Sequence, residues 1–295
     1  RGRTDYKVTF PAHIEDVFGQ KLGRSSGRTF HYQGARPNLS AGYGSFAVLD
    51  PNGDKTFRVS SINFDELKLK IYKVQPKDWD AYMDYAGKYR WSKDPVTPPG
   101  KLVVDKVVKV KKAKDEMVES VFPLKKHLNS GRFGNLVVQV TQWPLPAKRY
   151  RRKYVLSWVQ VTQLALDAFV DHGTMLAWVS RLKDGASVSG ARVSLVPGGG
   201  AAAKESEKTG LAKLQLPVTG GGKHRVLVAR KGKDMAMLPE SFYRWRKGRW
   251  RNHSGPGEVV RWYVFDDRKL YKPKEEVRVK GWARVVNMGD RKSTR

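Results

Sequence analysis

Apolar and polar residues alternate along most of the chain. Tyr6, Val8 and Phe10 alternate with Lys7 and Thr9, and Leu67, Leu69 and Ile71 alternate with Lys68 and Lys70. The same period recurs at Leu164, Leu166, Ala168 and Val170, at Ala191, Val193 and Leu195, at Leu214 and Leu216, and at Val277 and Val279. Leu136 to Val140 and Val226 to Ala229 carry a similar signal. Successive side chains of a strand point to opposite faces, so a period of two predicts half-buried strands. Turn signals separate the runs: Asp50-Pro-Asn-Gly53, Asp184-Gly185, Thr209-Gly210 and glycine tracts at 198–200 and 220–222. Short strands punctuated in this way predict an all-β chain of consecutive antiparallel β-sandwich domains. Helical spacing is confined to Lys77 to Tyr89, where Trp79, Tyr82, Met83 and Ala86 recur at threes and fours; a short helix or an ordered loop is expected there.

Shifts in composition mark the boundaries. Gly34 to Gly44 is rich in Gly, Pro and Ser; Trp143 to Pro146 is followed by Lys148-Arg-Tyr-Arg-Arg-Lys153; Asn252 to Gly257 is a third polar connection. They divide the chain into a leading remnant (1–40), two bodies of about one sandwich each (41–150 and 151–252) and the start of a further segment (253–295). The chain has 295 residues, enough for two or three such domains, and opens on Arg1 with no signal peptide, so a fragment or a processed chain is expected. No apolar run approaches the length of a membrane span.

Cysteine is absent, which excludes a disulfide scaffold, a thiol nucleophile and a Cys-ligated metal. The six histidines show no metal-ligand spacing, no Gly-x-Ser-x-Gly elbow is present, and adjacent carboxylates such as Asp266-Asp267 point to opposite strand faces. Asp50 to Asp54 opens like a calcium loop, but its Gly falls at the fourth position and Ser61 stands at the twelfth, so a plain turn is expected. No catalytic residue, cofactor or metal site is therefore assigned.

Two stretches carry a resemblance. The first is Trp158-Val-Gln-Val-Thr-Gln-Leu-Ala-Leu166 with Leu176 to Ser180, Thr209-Gly-Leu-Ala212, Leu227-Val-Ala-Arg-Lys-Gly232 and Met235-Ala-Met-Leu-Pro239. The second is Asp266 to Gly281, containing Leu270-Tyr-Lys-Pro-Lys-Glu-Glu-Val-Arg-Val-Lys-Gly281. Together they resemble macroglobulin-type domains of the bacterial alpha-2-macroglobulin family. Tyr6 to Leu22 resembles the last strands of a bacterial immunoglobulin-like domain, and Asn63 to Asp78 the opening of the first macroglobulin-type domain. The resemblance implies immunoglobulin-like and macroglobulin-type sandwiches: the end of an immunoglobulin-like domain at 1–40, macroglobulin-type domains at 41–150 and 151–252, and the start of a third at 253–295. Lys274 stands where the family usually has Gly; a non-glycine there predicts a type I rather than a type II turn.

In that family the whole molecule traps proteases, and a Cys-Gln thioester serves covalent capture in some members. A chain without Cys cannot carry that step. The resemblance thus implies a non-catalytic scaffold, with proteases as partners of the full-length protein, neighbouring domains of the same chain as direct partners, and a periplasmic, cell-surface or secreted location.

Charge supplies the alternative. Lys plus Arg is 57 and Asp plus Glu 28, a formal net charge of +29. Basic clusters occur at Lys106 to Lys114, Lys148 to Lys153 and Arg244 to Arg251. Lys148, Arg149, Arg151 and Arg152 in one cluster, and Arg244, Trp245, Arg246, Arg249, Trp250 and Arg251 in another, are the candidates for contact with an anionic surface or polymer. No specific nucleic acid is expected. Trp245 and Trp250 are expected at the surface, whereas Trp158, Trp178 and Trp262 sit in alternating runs and are expected in cores. The alternative function is a cationic cell-envelope or polyanion- and nucleic-acid-binding β-sandwich module; the bland reading of the same charge is a solvated strand face.

Overall fold

The computed structural model describes residues 3–89, 92, 96–111, 113–171, 173–197, 202–216, 225–240, 250, 258–268 and 270–287. It is a β-protein with two compact units, 1–162 and 163–295.

The first unit opens with a two-stranded hairpin, β1 (Thr4–Phe10) and β2 (Ser26–Tyr32), in which Tyr6 meets Tyr32 edge-on at 5.4 Å. A sandwich follows, built from β3 (Asn38–Ser40), β4 (Phe46–Leu49), β5 (Thr56–Ile62), β6 (Glu66–Val74), the helix α1 (Trp79–Lys88), β7 (Lys101–Lys109), β8 (Met117–Pro123), β9 (Gly134–Trp143) and β10 (Tyr154–Val161). One sheet has the order β4-β10-β9-β6-β7 and the other β3-β5-β8. All pairs are antiparallel except β4 with β10, which run parallel. The alternation explains the core: Leu67, Leu69 and Ile71 of β6, Val138 of β9 and Val159 of β10 meet Phe57 and Val59 of β5 and Phe122 of β8.

The opposite face of the five-stranded sheet is also covered. Trp79 and Tyr82 of α1 pack on Trp158 of β10 with centroids 5.3 and 5.4 Å apart, and Phe46 closes the cluster against Trp79 at 5.7 Å. The Tyr82 hydroxyl donates to the Ser45 carbonyl at 2.8 Å. The helical spacing of residues 77–89 thus resolves as a true helix, entered through a single 3-10 turn, Pro76–Asp78. Proline fixes φ at that entry, where its missing N–H costs nothing.

Asp115, between β7 and β8, ties three segments of this unit. Its Oδ1 accepts from Ala35 N and Asn63 Nδ2, each at 2.9 Å, and its Oδ2 from Arg3 Nε at 2.8 Å. The Asp115 N–H returns a bond to Asn63 Oδ1 at 2.8 Å, and both residues take positive φ, 56° and 61°. Asn and Asp are the side chains best able to hold that conformation, through local bonds of this kind.

The second unit pairs a three-stranded sheet, β11 (Leu164–Asp171), β12 (Thr174–Arg181) and β15 (Leu211–Gln215), with a four-stranded one. The latter holds β13 (Arg192–Val196), β14 (Lys204–Glu205), β16 (Val226–Lys231) and β17 (Asp234–Pro239) in the order β14-β13-β16-β17. Met175, Ala177 and Val179 pack with Leu214, Val193, Leu227 and Leu238 in its core. A hairpin of β18 (Glu258–Asp266) and β19 (Val279–Asn287) completes the described residues.

Several expectations are corrected. Tyr154–Val161 was expected to open the body beginning at 151; it is instead hydrogen-bonded to β4 and β9, and the compact units divide after Thr162. The polar cluster at 148–153 is a turn inside the first unit, so a change in composition there does not coincide with a change of core. Trp178 is 39% and Trp262 79% exposed rather than buried. A period of two defines two faces without saying which is inward: on β12 the inward face holds Met175, Ala177 and Val179, and Trp178 lies on the other. Trp250, expected at the surface, is 3% exposed and closes the second core, its Nε1 reaching the Leu238 carbonyl at 3.4 Å. Its basic neighbours in sequence masked a single ring directed inward. Lys274 has φ of 73° at the third position of a turn closed by Glu275 N to Lys272 O at 3.1 Å, so the turn keeps the type II form in spite of the lysine. The glycine tracts at 198–200 and 220–222, and the connection at 252–257, lie outside the described residues.

Gly210 has φ of 80°, and a Cβ there would stand 2.4 Å from the Val179 carbonyl oxygen. Gly210→Ala is therefore expected to destabilise the chain by about 2 kcal/mol or more, read from denaturant melts; an unchanged midpoint contradicts this. The hydrogen bonds from Asn63 and Arg3 hold the Asp115 carboxyl below the usual carboxylate range. A lowered native value means its contribution is complete above about pH 4 and is lost as pH falls through that lowered value. Asp115→Asn is expected to lower the melting temperature at neutral pH, with the gap from the parent closing in acid; a gap independent of pH refutes the linkage.

Candidate binding groove

The polar half of the alternation in β6 and β9 builds a site. With Leu67, Leu69 and Ile71 committed to the core, Lys68, Lys70 and Tyr72 face the layer of α1. Register sets Lys68 opposite Thr141 and Lys70 opposite Gln139 on β9. Where the helix leaves this face uncovered, these residues join Trp143, Tyr85, Tyr89 and Arg152 around a groove of about 390 Å³.

Its floor is a hydrogen-bonded pair. Gln139, 4% exposed, donates from Nε2 to the Tyr85 hydroxyl at 2.8 Å. Tyr85, Tyr89 and Tyr154 form a ladder with centroids 5.4 and 4.7 Å apart. Burial drives the Tyr85 and Tyr89 phenols upward, Arg152 opposing the shift at Tyr89, so both stay protonated at neutral pH. At the rim, Lys68 Nζ lies 2.9 Å and Lys70 Nζ 3.5 Å from the Asp105 carboxylate, and Lys68 also sits 4.8 Å from the centroid of Trp143. The hydrogen bond from Lys68, with the charge of Lys70, holds the Asp105 carboxyl below its ordinary range. The groove offers aromatic walls, amide and hydroxyl groups and a shared lysine pair, groups suited to binding a ligand. Among the described residues, no group of three or more His, Asp or Glu is placed to hold a metal ion. Asp50 to Asp54 forms a turn, with Asn52 N donating to Asp50 Oδ1 at 2.8 Å.

Of the basic candidates, Arg152 enters this groove and donates from Nε to the Pro146 carbonyl at 3.1 Å. Arg149 to Arg151 form a 3-10 turn; Lys148 and Arg151 are exposed, the latter with its guanidinium 5.8 Å from the Tyr150 ring centroid. Arg244, Trp245, Arg246, Arg249 and Arg251 lie outside the described residues. Sequence reading missed Lys68, Lys70, Gln139 and Trp143. The available signal was the polar phase of β6 (Lys-x-Lys-x-Tyr), which reads as solvated until α1 is laid over it.

No protein-family model matches the chain. Among curated proteins it is 24% identical over 290 residues to "Circularly permutated Ras protein 2" of Dictyostelium discoideum, covering 82% of this chain and 7% of that protein. The chain thus spans a small fraction of that relative's length. Similar solved structures include Escherichia coli alpha-2-macroglobulin spanning domains MG0-NIE-MG1, with 16% identity, TM-score 0.49, and coverage of 82% of this chain and 76% of that one. A shorter fragment spanning NIE-MG1 gives 18%, 0.49, 69% and 97%, and Salmonella alpha-2-macroglobulin reacted with methylamine gives 17%, 0.48, 96% and 17%.

Tyr85→Phe removes the hydroxyl to which the buried Gln139 Nε2 donates at 2.8 Å. A loss of about 1–3 kcal/mol is expected in chemical denaturation. Because burial raises the native phenol, its contribution is present below about pH 10 and is lost as pH rises through the native value. The variant should therefore lose less stability than the parent between neutral and strongly alkaline pH; equal losses contradict the assignment.

Proposed function

We propose that this chain is a non-catalytic scaffold fragment of a bacterial alpha-2-macroglobulin-like protease-trapping protein. One observation carries the reading: the Trp158 to Leu166 motif spans the junction of two sandwiches. Trp158 to Val161 complete the five-stranded sheet of the first unit, and Leu164 begins the first strand of the second. Only Thr162 and Gln163 intervene, and both are anchored within their own units, Thr162 N on Leu49 O at 3.2 Å and Gln163 N on Asp234 Oδ2 at 2.9 Å. A motif that ends one module and starts the next suits a row of load-bearing domains.

The flanking hairpins support the same reading. In β18–β19, Trp262, Tyr263 and Trp282 are 79, 65 and 53% exposed. A two-stranded ribbon with uncovered aromatic faces is marginal alone; neighbouring modules of a longer chain would cover it. The leading hairpin is then the end of an immunoglobulin-like domain and β18–β19 the start of a third macroglobulin-type domain. The role is steric, with proteases engaged by the whole molecule, and an extracytoplasmic location accompanies it.

A second reading, contact with an anionic polymer, is favoured by the net charge of +29 and by exposed Lys148 and Arg151. The two readings differ in assay. The longer protein containing this chain should shield a large protein substrate from a bound protease while a small peptide substrate is still cleaved, and the isolated chain should affect neither. Stoichiometric inhibition by the isolated chain rejects the scaffold reading. Retention on heparin that weakens steeply with salt would favour the second.

A further inference from the structure

A second cavity, of about 420 Å³, lies beside the 3-10 turn that enters α1, lined by Lys73, Lys77, Lys101, His127 and Asn135 among others. Asn135 on β9 is 4% exposed, and its Oδ1 accepts from Trp158 Nε1 at 3.0 Å. An indole N–H can only donate, so the oxygen of this amide must face Trp158. Nδ2 is thereby forced to the other side, where it is buried with no partner. Leaving such a donor unpaired costs about 1–3 kcal/mol. Asn135 lines the cavity, and an acceptor that reached Nδ2 from it would recover that cost.

The electrostatics specify which acceptor. Lys73, Lys77 and Lys101 make no ion pair among the described residues. The one carboxylate lining the cavity, Asp78, already accepts from Gln75 N at 2.8 Å to cap the turn. His127 is held below its usual range by desolvation and by the charges of Lys73, Lys106 and Lys126. The wall is glycine where the backbone comes close: a Cβ on Gly100, whose φ is 90°, would stand 2.2 Å from the Lys73 carbonyl oxygen.

We propose that this cavity binds a phosphate-class oxyanion, a phosphomonoester, with Asn135 Nδ2 donating to it and Lys73, Lys101 and His127 neutralising it. A cavity of this volume falls in the range of small-molecule sites and is roomier than an inorganic ion requires. Such a ligand accepts from the orphan amide and supplies the missing negative charge. A neutral ligand would leave the lysines crowded, and a cation would be repelled.

The test is calorimetric titration of the whole chain at about 150 mM salt with glycerol 3-phosphate, with glycerol as the uncharged control. The expected result is saturable one-to-one binding of the ester, weakened at least about fivefold by His127→Gln and by Lys101→Gln and unchanged by Lys148→Gln. Proton NMR should show the His127 pKa rising on saturation, since Lys73, Lys77, Lys101, Lys106, Lys126 and Asp78 stay in place and only the ligand adds charge. Vesicles containing phosphatidic acid separate the sources: binding to them in preference to the soluble ester assigns a lipid headgroup, and the reverse a free metabolite. Absence of saturation with either, binding of glycerol as tight as its phosphate, or an equal loss in Lys148→Gln overturns the proposal. None of these outcomes bears on the scaffold reading, which the protease assay decides alone.

Discussion

The bond from the Trp158 indole to Asn135 organises the first unit. A sandwich needs one apolar face per sheet, yet the five-stranded sheet is covered on both. Its second face holds polar side chains that a solvated sheet would leave to water. Covering them with α1 carries a desolvation cost for each polar atom that finds no partner. Trp158 packs under Trp79 and Tyr82 and must place its N–H, and Asn135 receives it. Farther along the same face, Gln139 and the Tyr85 hydroxyl satisfy each other. The helix therefore sits on a strip of largely paired polar groups, with Asn135 Nδ2 and Trp79 Nε1 buried without a partner, and the groove and the cavity both open along it.

This arrangement explains what the sequence disclosed and what it concealed. Strand identity was legible because alternation is a local property: β6 and β11 contain the residues expected of them, and β13 and β15 contain theirs except Ala191 and Leu216, each one residue beyond the strand end. Turns were legible where chemistry demands a particular residue, as at Gly210 and Gly185, both at positive φ. The phase of the alternation was not legible. Trp178 and Leu69 occupy equivalent patterns, yet only Leu69 faces a core, because the choice of face depends on a sheet distant in sequence. Trp250 stands outside any period and fills a gap that exists only once two sheets are stacked. Polar residues such as Gln139 and Asn135 acquired their importance from a ten-residue helix laid across them.

Charge was the most conspicuous feature of the composition and the least informative about position. Arg152 turned inward to the Pro146 carbonyl, while Lys68 and Lys70 converged on Asp105 from an unremarkable strand. Lys73, Lys101 and His127, from separate segments, instead line one cavity. Such convergence is a product of topology, and a count of lysines along the chain does not anticipate it.

The position of β7 at the border of the five-stranded sheet has a consequence for behaviour in solution. One side of this strand pairs with β6, and on the other no strand is paired among the described residues, the kind of edge that invites another chain to add a strand. Its sequence carries Lys101, Lys106 and Lys109 among apolar residues, so a second copy approaching edge to edge meets cations with cations. Part of the excess charge thus acts as a gatekeeper against aggregation. Because exposed charges are screened by electrolyte, that guard is strongest in dilute buffer and relaxes as ionic strength rises.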